Sequence, residues 1–282
     1  MVTRTQAVNL NISKKMKKLI ILTTICFAVI TTVAQEQADI EVSYNYKHFH
    51  RTGKEQNHQM ILLANAVSSK FFNPETEYVD SLEYTPDGKE IYNQMKMAAF
   101  TSGNMKSVPQ RRVPMYIFKS KERGETDVYD GINVMMFRFT EPYGIQNWEI
   151  SDSTKNILGY ECTMATCDWR GRHWTAWFSP EIPIQDGPWK LSGLPGLILE
   201  ASENSGQHVF SATGVQMTPR QITPVLNENN YEKTDRMTML KVLRKFEDNP
   251  EAGLSTALGI GITVKDGIKF DKTLDFLETD YR

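Results

Sequence analysis

Hydrophobic and polar residues alternate along much of this chain with a period of two, which is typical of half-buried β-strands. The clearest example is Ile40 to Tyr46, where every second residue is apolar. Similar patterns predict strands at Met115 to Ser120, Val134 to Phe139, Leu197 to Ala201 and His208 to Thr213. Gly171 separates two further predicted strands, Cys162 to Trp169 and Arg172 to Phe178, which we expect to pair as an antiparallel hairpin.

Helical spacing is clearest near the C-terminus. One face of an amphipathic helix is predicted there by Met239, Val242, Leu243 and Phe246. A shorter helix is predicted from Lys89 to Ala99, after a turn at Pro86-Asp87-Gly88. Asp130-Gly131 is the predicted turn of a hairpin, and Thr273 to Arg282 is an acidic tail of weak pattern.

These elements predict a mainly β fold. We expect a single domain with a curved antiparallel sheet, or an open half-barrel, and one or two packed helices. A curved sheet has a concave face that can hold an apolar molecule.

The N-terminus has the composition of a secretory signal peptide. Four lysines between Lys14 and Lys18 precede an uncharged run of 15 residues from Leu19 to Val33. This run is shorter than the roughly 20 apolar residues that span a bilayer. We therefore predict cleavage near Ala34, with Met16 as the true start, residues 35–282 as the mature domain, and no transmembrane anchor in it. The mature protein would be periplasmic or secreted.

The net charge of the chain argues against nucleic acid as a partner. The 282-residue chain has 32 basic and 34 acidic side chains and a net charge of −2. Removal of residues 1–34 takes away five basic residues and no acidic ones, which leaves 27 basic and 34 acidic side chains and a net charge of −7. Nucleic-acid binding depends on neutralising phosphates, so no nucleic-acid partner is expected.

The stretch from Gly187 to Glu200 contains three glycines and two prolines and then becomes apolar. Pro195-Gly196 predicts a type II turn, because proline fixes φ and glycine accepts a positive φ. Two interpretations stay open. The stretch is either a tight turn that leads into a core strand, or a rigid loop that presents backbone amides to a ligand.

This stretch also carries a family resemblance. Gly193, Leu194, Pro195, Gly196, Leu197 and Ile198 form the signature of the GLPGLI family, which the chain resembles. The segments around Gly159 to Cys162, Arg170 to Phe178 and Pro180 to Pro183 are similar to that family as well. The resemblance implies an uncharacterised protein exported by a Gram-negative bacterium, with no established catalytic residues. It also implies a function in the cell envelope, with an outer-membrane transporter or another envelope protein as partner.

All five tryptophans lie between Trp148 and Trp189. Such a concentration indicates either the thickest part of the core or an aromatic-lined groove. Strand alternation places Trp174 and Trp177 on opposite faces. The candidate ligand-binding residues are Trp174, Trp177, Trp189 and Arg172.

Candidate catalytic residues are few. No Gly-x-Ser-x-Gly nucleophile turn is present. A general acid–base site could be formed by Glu181, Asp186 and Glu200, if the loops bring these carboxylates together.

Histidines and cysteines give weaker signals. His48 and His50 would share a strand face, but no acid or cysteine cluster accompanies them, which favours a solvated strand end over a metal site. Cys162 and Cys167 would lie roughly 16 Å apart in one extended strand. A disulfide between them is possible only if the chain folds back.

We therefore expect an exported, non-enzymatic binding or accessory protein without a cofactor. It would bind an apolar molecule, an envelope component or a protein partner. One alternative is a hydrolase that uses the loop carboxylates. A weaker alternative is metal handling through His48, His50 and methionines.

Overall fold

The computed structural model describes residues 36–50, 52–132, 135–249, 271 and 273–281. Within these residues, twelve strands form one sheet. The predicted signal peptide and the glycine-containing segment 250–270 lie outside the described residues.

The strands are β1 (Ile40–Phe49), β2 (Glu55–Ala64), β3 (Ser68–Phe72), β4 (Tyr116–Ser120), β5 (Glu125–Ile132), β6 (Met135–Pro142), β7 (Glu149–Ile157), β8 (Tyr160–Trp169), β9 (Arg172–Ser179), β10 (Leu197–Glu203), β11 (His208–Met217) and β12 (Glu232–Lys233). The α-helices are α1 (Pro74–Tyr84), α2 (Pro86–Ser102) and α3 (Arg236–Asp248). Short 3₁₀-helices lie at Met105–Ser107 and Glu228–Asn230. The predicted mainly β fold is confirmed.

The sheet consists of two meanders that meet at β1. Its strand order is β12-β6-β5-β4-β3-β2-β1-β11-β10-β9-β8-β7. Neighbouring strands are antiparallel except for the short β12, which runs parallel to β6. Because β11 pairs with β1 from Ile40 opposite Met217 to His48 opposite His208, the C-terminal meander is joined to the N-terminal one along a full strand.

Side-chain alternation explains why these segments are strands. On β1 the predicted apolar residues Ile40, Val42, Tyr44 and Tyr46 are all buried. On β9, Trp174 and Phe178 are buried whereas Trp177 lies on the other face, as predicted. The central strands are covered on both sides, since Leu62 and Leu63 of β2 belong to separate apolar clusters.

The sheet curls until its two ends approach each other. β6 and β8 are nine positions apart in the strand order, which in a flat sheet would be roughly 43 Å at about 4.8 Å per strand. Yet Arg170, in the turn between β8 and β9, donates to Glu141 of β6 over 2.6 Å. Side chains cannot bridge the flat distance, so the strands must curve. The predicted curved sheet follows from this contact.

The helices differ from the prediction in the first half of the chain. α1 was not predicted; Asn73 caps it by accepting the Thr76 amide over 2.9 Å, and Pro74 occupies its first turn. The expected turn at Pro86-Asp87-Gly88 is instead the first turn of α2, because the Thr85 hydroxyl caps the Gly88 amide. The C-terminal amphipathic helix is confirmed as α3.

One other prediction was wrong. Asp130-Gly131 is not a hairpin turn, since β5 continues to Ile132, which pairs with Met135 of β6. The acidic C-terminal tail, for which the sequence gave only a weak pattern, packs against the fold, because Leu274, Glu278 and Tyr281 are buried.

Candidate functional site

A cavity of about 260 Å³ lies between the concave face of the sheet and the elements that cover it. α3 covers one side with Met239, Leu240 and Leu243, and the C-terminal segment 273–281 covers another with Phe276 and Leu277. The lining contributed by the strands and loops includes Tyr46, His48, Val113, Met115, Val128, Asp130, Ile132, Trp189 and His208. The cavity is therefore mostly apolar, but its wall also contains charged side chains, which besides Asp130 are Arg112, Lys190, Glu247, Asp275 and Glu278.

α3 covers the cavity because its apolar residues recur on one face. Met239, Leu240, Leu243 and Phe246 are its buried residues. The helix begins at a capping residue, Asp235, whose carboxylate accepts the Thr238 amide over 3.0 Å.

The C-terminal segment is fastened mainly through its backbone carbonyls. Arg172 donates from Nε to the Phe276 carbonyl over 3.0 Å, while its Nη1 donates to Glu203 over 2.7 Å. Gln207 donates to the Thr273 carbonyl over 2.9 Å. Arg172 is thus buried as a structural clamp and does not line the cavity, although it was a candidate ligand-binding residue.

A buried ionic network joins the cover to the sheet. Lys190 Nζ lies 2.7 Å from Glu141 and also contacts Glu278. Arg236 of α3 contacts Glu278 over 2.6 Å. Burial raises the pKa of Glu278, but Lys190 and Arg236 outweigh burial and hold that pKa below its usual value. The network therefore keeps its charges paired away from water.

Tyr46 and His208 form a hydrogen-bonded pair in the cavity wall. His208 Nε2 is 2.8 Å from the Asp275 carbonyl, which can only accept, so Nε2 carries the proton. Nδ1 must then accept from the Tyr46 hydroxyl, 2.8 Å away. Burial, followed by the charge of Arg172, lowers the pKa of His208 to about 3. His208 is therefore a neutral structural group at physiological pH.

His48 stacks on this pair. Its ring centroid is 4.8 Å from that of Tyr46 and 5.3 Å from that of His58. Burial and the neighbouring histidines lower the pKa of His48 to about 4. Among the described residues, no group of three or more His, Cys, Asp or Glu side chains is arranged to hold a metal ion.

Asp130 contributes a carboxylate to the cavity wall. It lies on β5 on the same face as Val128, and its carboxylate accepts the Gly131 amide over 2.7 Å. Burial raises the pKa of Asp130 to about 6, although the Gly131 amide and the charge of Lys190 oppose this effect. Asp130 was not among the candidate residues predicted from the sequence. The alternation of Val128, Asp130 and Ile132 was the signal that could have found it.

The segment from Glu181 to Gly196 fills the interior of the curled sheet. Lys119 and Asp186 form a buried ion pair beneath it, with Nζ and Oδ1 2.5 Å apart. Lys119 also donates to the Gly187 carbonyl over 2.7 Å, and Trp148 donates to the Ser192 carbonyl over 2.8 Å. Its polar groups are thus largely occupied within the protein, which favours the interpretation as structural turn over presentation of amides.

The turn itself is not of type II. Gly196 donates its amide to the Leu194 carbonyl over 2.8 Å, which is a γ-turn centred on Pro195. The amide of Leu197 bonds the Ile182 carbonyl instead of closing the predicted turn. The turn brings Ile198 and Leu199 into the core, and both are fully buried.

The tryptophan candidates separate into three environments. Trp189 lines the cavity, with its indole ring 5.6 Å from that of Trp174. Trp174 is fully buried in the core and does not line the cavity. Trp177 lies on the opposite face of β9, where Lys155 Nζ is 4.3 Å from its ring centroid. Only Trp189 of the three is placed to meet a ligand there.

The three candidate carboxylates do not form one cluster in a wet cleft. Asp186 is buried against Lys119. Glu181 accepts the Glu161 amide over 2.7 Å, and Glu200 binds Lys155 over 2.7 Å. Each carboxylate is occupied by a different partner.

Cys162 and Cys167 are buried free thiols on the single extended strand β8. The chain does not fold back between them, so the disulfide considered from the sequence does not form. Burial raises the pKa of the Cys167 thiol to about 12 and also raises that of Cys162, which makes both unreactive at neutral pH.

One segment of the chain matches the model of a known protein family. A family model described as "Protein of unknown function (Porph_ging)" matches residues 169–200, a range that includes the signature 193–198. The chain thus carries a segment of an uncharacterised family. No curated protein matches the chain. None of the described helices is long and apolar enough to cross a lipid bilayer.

Several solved structures are similar at low identity. Two structures of PNGF-II, in the C2 and P21 space groups, have 17% and 16% identity and TM-scores of 0.48 and 0.49. Each match covers 74% of this chain and 33% of that chain, so this chain spans about a third of the length of PNGF-II. A structure of MucB in complex with MucA(peri) has 10% identity and a TM-score of 0.26, and the match covers 68% of this chain and 55% of that chain.

Proposed function

We propose that this protein is a non-enzymatic binding protein that holds a small, largely apolar molecule in the cavity beneath α3. The observation that carries the proposal is the cavity itself, walled by Trp189, Leu243 and Phe276 among other apolar side chains. Its volume of about 260 Å³ is slightly below the range for ligand sites, which begins at about 300 Å³. The ligand is therefore small.

The proposal includes export to the cell envelope. The basic and apolar N-terminus supports secretion with cleavage near Ala34. The signature at 193–198 supports membership of the GLPGLI family and, with it, an outer-membrane transporter or another envelope protein as partner. The intact mass of the protein purified from its own host's envelope tests the cleavage, because loss of residues 1–34 gives a defined mass.

The hydrolase alternative receives no support from the site. It requires Glu181, Asp186 and Glu200 to converge around a substrate, whereas Asp186 is held by Lys119 in the interior. Binding without chemistry accounts for a mostly apolar cavity in which both ring nitrogens of His208 are hydrogen-bonded and His48 is stacked between Tyr46 and His58.

Filling the cavity tests the proposed function. We expect the wild-type protein to enhance the fluorescence of the uncharged probe N-phenyl-1-naphthylamine. Leu243→Trp should abolish the enhancement because the indole occupies the cavity, whereas Leu243→Ala should retain it because the cavity is enlarged. Leu226→Trp is the matched control, since Leu226 is 37% exposed and does not line the cavity.

Circular dichroism must show that all three variants remain folded. Enhancement that is equal in wild-type protein and folded Leu243→Trp would place the probe elsewhere and contradict the proposal. No enhancement by either protein, at probe concentrations up to its solubility, would contradict it as well.

A further inference from the structure

One carboxylate in the cavity wall lacks a charged partner. Within the part of the chain that the structure describes, Asp130 forms no salt bridge, and its hydrogen bond is to the amide of its neighbour Gly131. Tyr46, Val128 and Ile132 line the same cavity, and Lys190 and Glu278 are close enough to act on Asp130 electrostatically. A carboxylate in an apolar wall is unfavourable unless a cation or several donors compensate it.

The other charges of the cavity are already paired. Lys190 is bound by Glu141 and Glu278. Asp275 and Glu247 are both bound by Arg244, and Arg112, whose side chain is 53% exposed, pairs with Glu75 over 3.0 Å. Lys190 is close enough to act on Asp130 electrostatically, but its ammonium group contacts two other carboxylates. No lining cation of the described residues is thus available to neutralise Asp130.

Aromatic rings lie on several sides of the same cavity. The lining includes Tyr46, Trp189 and Phe276. The faces of such rings attract ammonium groups, most strongly where water is excluded. In this cavity, however, Tyr46 is already stacked between His48 and Phe210, and the cationic groups of Arg244 and Lys190 already lie over Phe276 and Trp189. The rings therefore provide surroundings for the apolar part of a ligand, and the group left to pair with its charge is the Asp130 carboxylate.

We propose that the ligand of this cavity is a small organic amine that is protonated at neutral pH, with its ammonium group bound to the Asp130 carboxylate and its apolar part among Trp189, Leu243 and Phe276. This assignment rests on the proposed function, since it requires the cavity to be a binding site. It adds the charge of the ligand and the residue that recognises it.

A pair of probes that differ in one group tests the assignment. Hexylamine and hexan-1-ol have the same length, but hexylamine is cationic at pH 7.5, as alkylammonium groups lose their proton only near pH 10. We expect ligand-observed NMR titrations to show that the wild-type protein prefers hexylamine by about tenfold or more. Asp130→Asn should abolish this preference while leaving the affinity for hexan-1-ol unchanged.

Asp127→Asn is the matched control. Asp127 also lies on β5 but on the other face, where it binds Arg123 and the hydroxyl of Thr140. This variant should keep the full preference for hexylamine, because it removes a carboxylate without changing the cavity.

The outcomes separate the two proposals. Binding of both probes with equal affinity by the wild-type protein, or an unchanged preference in Asp130→Asn, would overturn the amine assignment but leave the proposed function intact. Binding of neither probe to the wild-type protein, together with no effect of Leu243→Trp on N-phenyl-1-naphthylamine, would overturn both.

Discussion

At Asp130 we expect ligand binding and protein stability to have opposite requirements. Binding of an amine requires the ionised carboxylate, whereas the folded protein is more stable when this side chain is neutral. Burial raises its pKa to about 6, whereas an aspartate in an unfolded chain has a pKa of about 3.9. The folded state therefore holds the proton more tightly. The contribution of Asp130 to the free energy of unfolding is therefore most favourable below about pH 4. This contribution is lost as the pH rises through about 6.

Replacing Asp130 should therefore stabilise the free protein. Asp130→Asn is expected to raise the free energy of unfolding by about 1–2 kcal/mol at pH 7.5 and to change it little at pH 4. Urea denaturation at the two pH values measures this difference. A variant that is less stable at pH 7.5, or an effect independent of pH, would show that Asp130 is already compensated in the folded protein.

At the residue scale, one of the four candidate ligand-binding residues, Trp189, lies in the cavity wall. Trp189 was predicted because tryptophans concentrate near it. Asp130 was missed because Asp-Gly is a strong hairpin signal, although β5 continues through it to Ile132. The Tyr46–His208 hydrogen bond joins residues 162 positions apart, and no local pattern encodes such a pairing.

At the element scale, the signature turn places two glycines in different surroundings. A Cβ added at Gly196 would lie 2.1 Å from the Ser179 carbonyl oxygen, so the backbone of β9 occupies the space that any side chain needs. Gly193 has a φ of +88° but no atom within 4 Å of an added Cβ. Gly196 is therefore required because a side chain there would collide with Ser179. Gly193 is required by its backbone conformation alone.

Alanine substitutions should distinguish these two requirements. Gly196→Ala is expected to destabilise the protein by about 2–4 kcal/mol because Ser179 must move. Gly193→Ala should cost about 1 kcal/mol, which is the conformational penalty for a positive φ. Thermal and urea denaturation of both variants provide the comparison. Equal losses, or a larger loss for Gly193→Ala, would mean that the close approach to Ser179 does not constrain the turn.

Strands were easier to predict than helices because their pattern is local and short. β1 and β9 follow their apolar alternation closely. α1 was missed although Asn73 and Pro74 together form a helix start, because its helical pattern is only 11 residues long and weakly amphipathic. The segment 273–281 was missed for another reason: Arg172, His208 and Gln207 hold its carbonyl groups, and carbonyl contacts leave no signature in side-chain hydropathy.

At the scale of the whole molecule, the ionic network closes the curled sheet. Arg170 and Glu141 join regions nine strand positions apart, and Glu278 links Lys190 to Arg236 of α3. The curvature was expected in general terms, but its closure could not be predicted, because these side chains come from five separate segments. Charged residues scattered over 140 positions look like ordinary surface residues in the sequence.

Removing the charge of Glu278 should destabilise the ionic network that joins the two ends of the curled sheet. Glu278→Gln leaves Arg236 and Lys190 with one carboxylate fewer in a site where the Glu278 side chain is 4% exposed. We expect a loss of about 3 kcal/mol in urea denaturation. Glu228→Gln, which removes an exposed partner of Arg138, is the matched control and should cost less than about 1 kcal/mol.

Hydrogen exchange can show whether that loss is local or global. If the network closes the sheet, Glu278→Gln should accelerate exchange together in β6, which carries Glu141, and in β9, which begins beside Arg170. These strands are eight positions apart in the sheet order, so faster exchange in both requires that they be coupled through the network. Acceleration confined to the segment 273–281 would mean that Glu278 only fastens the C-terminus. In that case the curvature is maintained by the apolar interior around Trp174 and Leu197, and the network contributes to covering the cavity alone.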